Sequence, residues 1–192
     1  MNTHTSIRKA VLNGSKNVSL VKSVESSNEG SIQSFTGNSQ RFYPEQLPRF
    51  PYEPTRDRFS ISSLGNDVGE GVRSLVSFRP GDVVFGFTGF FSNEVTLFSL
   101  QLSEGLHLHD PYFYGKLLHS CEPNMRADTV KRQFIAIKPI AKNDLITMDY
   151  ARTEEYLFRT FPCGCGAKSC RGIVAGSKQQ QELVVNFKPA AN

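Results

Sequence analysis

Lys116-Leu117-Leu118-His119-Ser120-Cys121-Glu122-Pro123-Asn124 is the stretch that decides how the rest of this chain is read. It holds one of only four cysteines, and the other three, Cys163, Cys165 and Cys170, form a C-x-C-x4-C cluster farther along the chain. Structural zinc takes four thiolates in a tetrahedron, and a C-x-C-x4-C hairpin supplies three. The fourth must come from elsewhere, and only Cys121 is left. Gly164, Gly166 and Gly172 fit the tight turns that such a knuckle needs. The competing reading is four separate buried or free thiols. If zinc is held, it pins the C-terminal segment onto the loop at Cys121, and much of that segment's folding free energy comes from the metal.

Working outward, the 192 residues suffice for one domain with its own core plus an appendage. Hydrophobic residues make up 39 % and charged residues 21 %, as in an ordinary folded protein, and the core is expected to be rich in Phe, with fifteen Phe and no Trp. No apolar run approaches the length of a membrane span, and the N-terminus lacks the apolar block of a secretory signal. These features lead us to expect a cytoplasmic protein, or a nuclear one in a eukaryote. The net charge of +4 is uneven: residues 1–50 carry six Lys/Arg against three Asp/Glu, leaving the remainder near neutral. Direct nucleic-acid binding, which needs a basic patch on the domain itself, is not expected.

Residues 1–55 read as a partly flexible arm, with Ser/Asn-rich composition, a short β-prone piece at Val18–Val21, and Pro44, Pro48, Pro51 and Pro54 favouring extended backbone at a boundary. From Phe59 short β-like runs alternate with turn signals. Val83, Phe85 and Phe87 are expected on one strand face after the turn Arg79–Asp82, and two further strands, Phe134–Ile137 and Leu145–Met148, flank the turn Ala141–Asp144. Thr153–Arg159 is the clearest helix candidate, with a capping Thr, acids in its first turn and Arg in its last. The tail from Gln179 to Phe187 is expected to form another short element.

Four motifs, in order, give this chain a resemblance to the SET-domain lysine methyltransferases that carry a cysteine-rich post-SET segment. Gly69-Glu70-Gly71-Val72-Arg73 resembles their G-x-G-V, His119–Asn124 their H-S-C-x-P-N, Met148-Asp149-Tyr150 their x-D-Y, and Cys163 to Gly172 their C-x-C-x4-C-R-G. The resemblance covers about residues 56–173. It implies a mostly β SET fold over 56–160, with a knot-like crossing of the H-S-C-x-P-N and D-Y segments, a post-SET zinc hairpin over 161–173 and a tail over 174–192.

It further implies an S-adenosylmethionine-dependent N-methyltransferase acting on a lysine amine. The substrate is a lysine-containing protein by family habit, or a free amino acid, peptide or carrier-bound amine; a non-catalytic SET-like module is the other alternative. By the same resemblance Gly69, Glu70, Gly71, Leu118, His119, Tyr150 and Phe161 border the cofactor. Tyr150 is the catalytic residue nearest the transferred methyl, Tyr112, Tyr114 and Met148 line the lysine channel, and Asn124 anchors the crossing. The family's G-N-x-x-R-F-x-N lead-in departs here: Leu118 stands where it keeps Asn, and its Arg is absent. Either another group such as Lys116 or Glu70 then takes over polar contact with the cofactor, or cofactor binding is weaker. His107-Leu108-His109-Asp110 reads as a polar turn in preference to a metal site. Oligomeric state is not legible in the sequence.

Overall fold

The computed structural model describes residues 40–65 and 69–186. The chain divides after Gly37 into two units, and all described residues lie in the second. The β-prone piece at Val18–Val21 and most of the arm therefore lie outside the described residues.

Twelve short strands, two 3-10 turns and one α-helix make up the described elements. β1 (Phe59–Ser63) and β2 (Glu70–Ser74) form an antiparallel hairpin. β3 (Val83–Gly86), β9 (Gln133–Ala136) and β8 (Met125–Asp128) form one three-stranded sheet in that order. β4 (Phe90–Ser92), β6 (Leu106–His109) and β5 (Ser99–Ser103) form the other. β7 (Leu118–His119) pairs in parallel with β10 (Thr147–Met148), and β11 (Phe161–Pro162) pairs antiparallel with β12 (Ile173–Val174). The helix α1 (Ser177–Asn186) follows, where the sequence predicts a short element. Strands this short cannot each build a core, so stability is gathered between sheets.

The gathering point is aromatic. Phe59, Phe85, Phe87, Phe113 and Phe134 are fully buried, and Phe85 sits edge-on to Phe113 with ring centroids 5.0 Å apart and 4.8 Å from Phe134. Such pairs add about 0.5–1.5 kcal/mol each beyond their buried area. The expected alternation in β3 does not hold, since Val84 is as buried as Phe85 while Val83 is only half-buried. A register irregularity between Val83 and Phe85 in the pairing with β9 removes the simple in-out pattern.

Two boundaries move. The packed body begins before Arg56, because Arg41, Phe42 and Tyr43 are buried, Phe42 lies 4.7 Å from Phe113, and Arg41 is tied to Glu53 and to the carbonyls of Pro44 and Leu47. The proline spacing suggests extended backbone, yet the chain turns at Pro44–Leu47 and Phe50–Glu53, with Tyr52 at φ 58°, and the prolines say nothing about what the side chains between them bury. The helix expected over Thr153–Arg159 is instead a single 3-10 turn, Tyr150–Arg152, which Thr153 ends. Asp149 caps it by accepting the Ala151 N–H at 3.2 Å, and Glu154 and Tyr156 are engaged in tertiary contacts that a continuing helix would break.

Candidate functional site

The crossing of two segments builds the site. β7 and β10 lie side by side in parallel, and Ser120 N–H donates to the Met148 carbonyl at 2.9 Å. Asn124 staples the arrangement: its Nδ2 donates to the Leu145 carbonyl at 2.8 Å, and its Oδ1 accepts from Thr147 N–H at 2.9 Å. Both halves of the amide are used, which suits the anchoring role expected of it. The crossing places His119 against Tyr150, ring centroids 5.3 Å apart.

The Tyr150 hydroxyl donates to the Leu117 carbonyl at 2.6 Å, and its pKa is raised by burial and then by the charge of Glu154. The phenol is thus fixed and neutral. The Tyr150 backbone N–H points at His119 Nδ1, 3.3 Å away. Since an N–H can only donate, Nδ1 must accept, and the ring proton sits on Nε2, facing Cys121 Sγ at 3.4 Å. Burial holds this imidazole's pKa down, against the pull of Asp149. His119 therefore joins the cysteine cluster to Tyr150 through its side chain, a role not legible in the sequence.

The four cysteine sulfurs all lie within 4.8 Å of one another, with Cys121 and Cys163 at 3.9 Å. Four sulfurs at this spacing match a tetrahedral thiolate set, so the donor chemistry fits zinc, with Cys121 closing the cluster as the sequence predicts. Backbone N–H groups of Arg171 and Gly172 point at the sulfurs of Cys121 and Cys170, each at 3.4 Å. Burial pushes the Cys163 thiol up to about 12, whereas backbone N–H donors of Cys121 and Ala167 bring Cys165 down to about 6. Gly166 and Gly172 have φ of 67° and 77°, as the knuckle turns require; Gly164 has no such constraint.

A second clamp accompanies the cysteines. Arg171 grips Asp149 with both terminal nitrogens, at 2.9 and 2.5 Å. Burial raises the Asp149 pKa, but the Arg171 hydrogen bond and charge outweigh it and the net shift is downward. The neighbour of Tyr150 is thus held from the post-SET side.

One pocket opens at this place, walled by Tyr114, Leu117, Met148, Tyr150, Glu154 and Phe161 among others. Tyr114 lines it with its hydroxyl donating to the Leu108 carbonyl at 2.6 Å. Tyr112, expected beside it, instead turns toward Tyr43 at 5.8 Å and lines no part of this pocket. Leu117 and Glu154 are pocket residues that the motifs do not mark; Glu154 is disguised in the sequence as a first-turn acid of a helix that does not form. The His107–Asp110 segment is not the expected polar turn but the end of β6 and the residue after it: His109 pairs with Thr96 at 2.8 Å, and buried Asp110 accepts Tyr43 and the backbone N–H groups of Tyr112, Phe113 and Tyr114.

Of the residues expected to border a cofactor, Tyr150 and Phe161 line this pocket, whereas Gly71 and Leu118 pack against each other. Gly71 faces Leu118 so closely that a Cβ on Gly71 would sit 2.9 Å from Leu118 Cδ1 and 2.8 Å from Leu64 Cδ1. Lys116 Nζ meets Glu70 at 2.5 Å. Leu118 thus makes apolar packing where the family keeps an amide, while a charged pair joins the two segments expected to border the cofactor.

No protein-family model matches the chain. By sequence it is 29 % identical over 117 residues to Methyltransferase flvH of Aspergillus flavus, spanning 59 % of this chain and 66 % of that protein. It is 28 % identical over 140 residues to human Histone-lysine N-methyltransferase EHMT1, spanning 60 % of this chain and 11 % of that protein. Among solved structures it resembles KRYPTONITE in complex with mCHG DNA and SAH, at a TM-score of 0.50 and 21 % identity, over 60 % of this chain and 28 % of that one. The chain therefore has the SET-domain fold, carries four clustered cysteines where the resemblance places a post-SET zinc site, and has methyltransferases among its relatives by sequence, spanning less than two thirds of their length.

Proposed function

We propose that the chain is an S-adenosylmethionine-dependent N-methyltransferase acting on a lysine amine. The observation that carries this reading is the pocket behind the crossing, where the fixed phenol of Tyr150 shares a wall with Met148, Tyr114 and Phe161. The relatives named methyltransferases and the SAH held by KRYPTONITE support it. Gly69, Glu70, Gly71, Lys116, Leu118 and His119 would hold the cofactor, whose sulfonium supplies the methyl group.

The chain's own work is to prepare the acceptor. A free lysine has a pKa near ~10.4, so neutralising it at pH 7 costs about 4–5 kcal/mol. An apolar wall and a nearby positive charge both lower that cost. Tyr114, Leu117, Met148 and Phe161 supply the wall, and Tyr150, locked by Leu117 and His119, fixes the direction of approach. Met148 occupies the place where an aromatic side chain would crowd the nitrogen or restrain it through a hydroxyl; it does neither.

The reading favours a protein lysine or a small amine of similar reach, and a cytoplasmic or nuclear setting in which thiols stay reduced for zinc. Incubating zinc-loaded protein with excess S-adenosylmethionine and lysine peptides, free lysine and simple alkylamines tests it by mass spectrometry. Products carrying more than one added methyl are expected from Met148, and Met148→Tyr should shift them toward one. Cofactor left intact in every reaction would overturn the activity, and a strict single methyl would overturn the part assigned to Met148.

A further inference from the structure

Glu154 is a buried carboxylate that no Lys or Arg balances among the described residues. Its side chain is 6 % exposed, and its oxygens accept the Gln101 N–H at 2.9 and 3.2 Å. Glu154 nevertheless forms part of the pocket wall with Tyr114, Met148 and Tyr150. The nearest ring nitrogen is His107 Nδ1, 4.0 Å away, buried, and without a hydrogen-bond partner.

These two groups do not form an ion pair. Burial lowers the His107 pKa and raises that of Glu154 to about 7, so both lean toward neutrality. The other ionisable groups around Glu154 are the phenols of Tyr114 and Tyr150, both pushed up by burial, with the Glu154 charge adding to each. Arg159 lies elsewhere on the pocket wall and makes no ion pair with Glu154, and Glu155 acts on His107, opposing the effect of burial. A carboxylate kept this dry without a cation is costly, and a bound cation offsets that cost. Tyr114, Tyr150, Phe158 and Phe161 line the same pocket, and aromatic rings suit a positive guest as well.

We propose that Glu154 is the specificity residue of the pocket, binding the substrate nitrogen as an ammonium and selecting it over neutral groups of the same length. This deepens the methyltransferase reading and rests on it for the fate of the nitrogen, though not for its binding. The amine enters the pocket as a cation.

The test is titration of zinc-loaded wild type and Glu154→Gln with n-butylammonium and with neutral n-butanol, followed by the NMR signal of the labelled Met148 methyl. Glutamine keeps an acceptor for the Gln101 N–H, and thermal melting checks its fold. Saturable n-butylammonium binding at pH 8 is expected in wild type and about tenfold or more weaker in Glu154→Gln, the loss of one charge-assisted hydrogen bond. n-Butanol should not distinguish the proteins. Should Glu154→Gln not fold, wild type alone decides: ammonium binding should weaken from pH 8 to pH 6 as Glu154 takes a proton. Equal ammonium affinity in both proteins, or no such pH dependence in wild type, would overturn the proposal. S-adenosylmethionine binding, measured in the same samples, separates the two readings. Glu154-dependent ammonium binding without cofactor binding refutes the methyltransferase reading alone, and the reverse refutes this proposal alone.

Discussion

The body of the domain and its post-SET segment are held by different physics. In the body, Phe59, Phe85, Phe113 and Phe134 lie at 0–1 % exposure in one aromatic cluster, and removal of apolar surface from water does the work. In the segment from Phe161 to Ile173 both of those end residues are substantially exposed, β11 and β12 are two residues long, and little apolar surface is buried. What holds it is four sulfurs and the grip of Arg171 on Asp149. The pocket wall, through Phe161, therefore rests partly on an element with no core of its own. Through Cys121, His119 and Asp149, the segment's state reaches Tyr150.

Removing the metal should separate the two regions most sharply. Structural zinc contributes roughly 10–16 kcal/mol of apparent binding free energy in small zinc domains, and here nothing else of that size holds the segment. In Cys121→Ser, or with a strong chelator, amide exchange over residues 161–174 should rise to that of open chain while the strands around Phe85 stay protected. Metal analysis should show zinc lost; unchanged zinc content would refute the four-cysteine site. The converse perturbation is Phe85→Ala, which should cost about 3–5 kcal/mol of global stability in a denaturant titration. That loss should fall on the whole body in one transition, and a loss below about 1 kcal/mol would deny the aromatic cluster its central place.

Glu154 gives the smallest and most conditional effect, because it belongs to neither region's main support. Its folded pKa of about 7 lies above the ordinary 4.5, so the folded state binds more protons between those values. Stability contributed by this group is therefore full below about pH 4.5 and falls as pH rises through about 7, by about 3 kcal/mol at most. Comparing denaturant titrations of wild type and Glu154→Gln from pH 5 to pH 8 should show this slope only in wild type.

The cysteine site was legible because ligand count and spacing are properties of the sequence. Cys121 had to be the fourth ligand if zinc was held at all. The crossing was legible through motif likeness, and Asn124 takes the part expected of it. What escaped reading depends on tertiary partners. Phe42 and Tyr43 look like residues of a proline-rich linker until Phe113 and Asp110 meet them. Thr153, Glu154 and Glu155 look like a helix start until Gln101 claims both acids, through its backbone for Glu154 and its side chain for Glu155. Tyr112 and Tyr114 are two residues apart, yet one turns to Tyr43 and the other to the pocket, a choice set by how Asp110 gathers the backbone between them.

The methyltransferase reading requires the surface at Gly69–Gly71 and Lys116–His119 to accept a cofactor despite Leu118. Isothermal titration of zinc-loaded, folded protein with S-adenosylmethionine tests it most directly. One saturable site per chain is expected, weakened when Lys116→Ala removes the partner of Glu70. A flat titration of protein whose zinc content and melting are intact would show that this surface holds no cofactor.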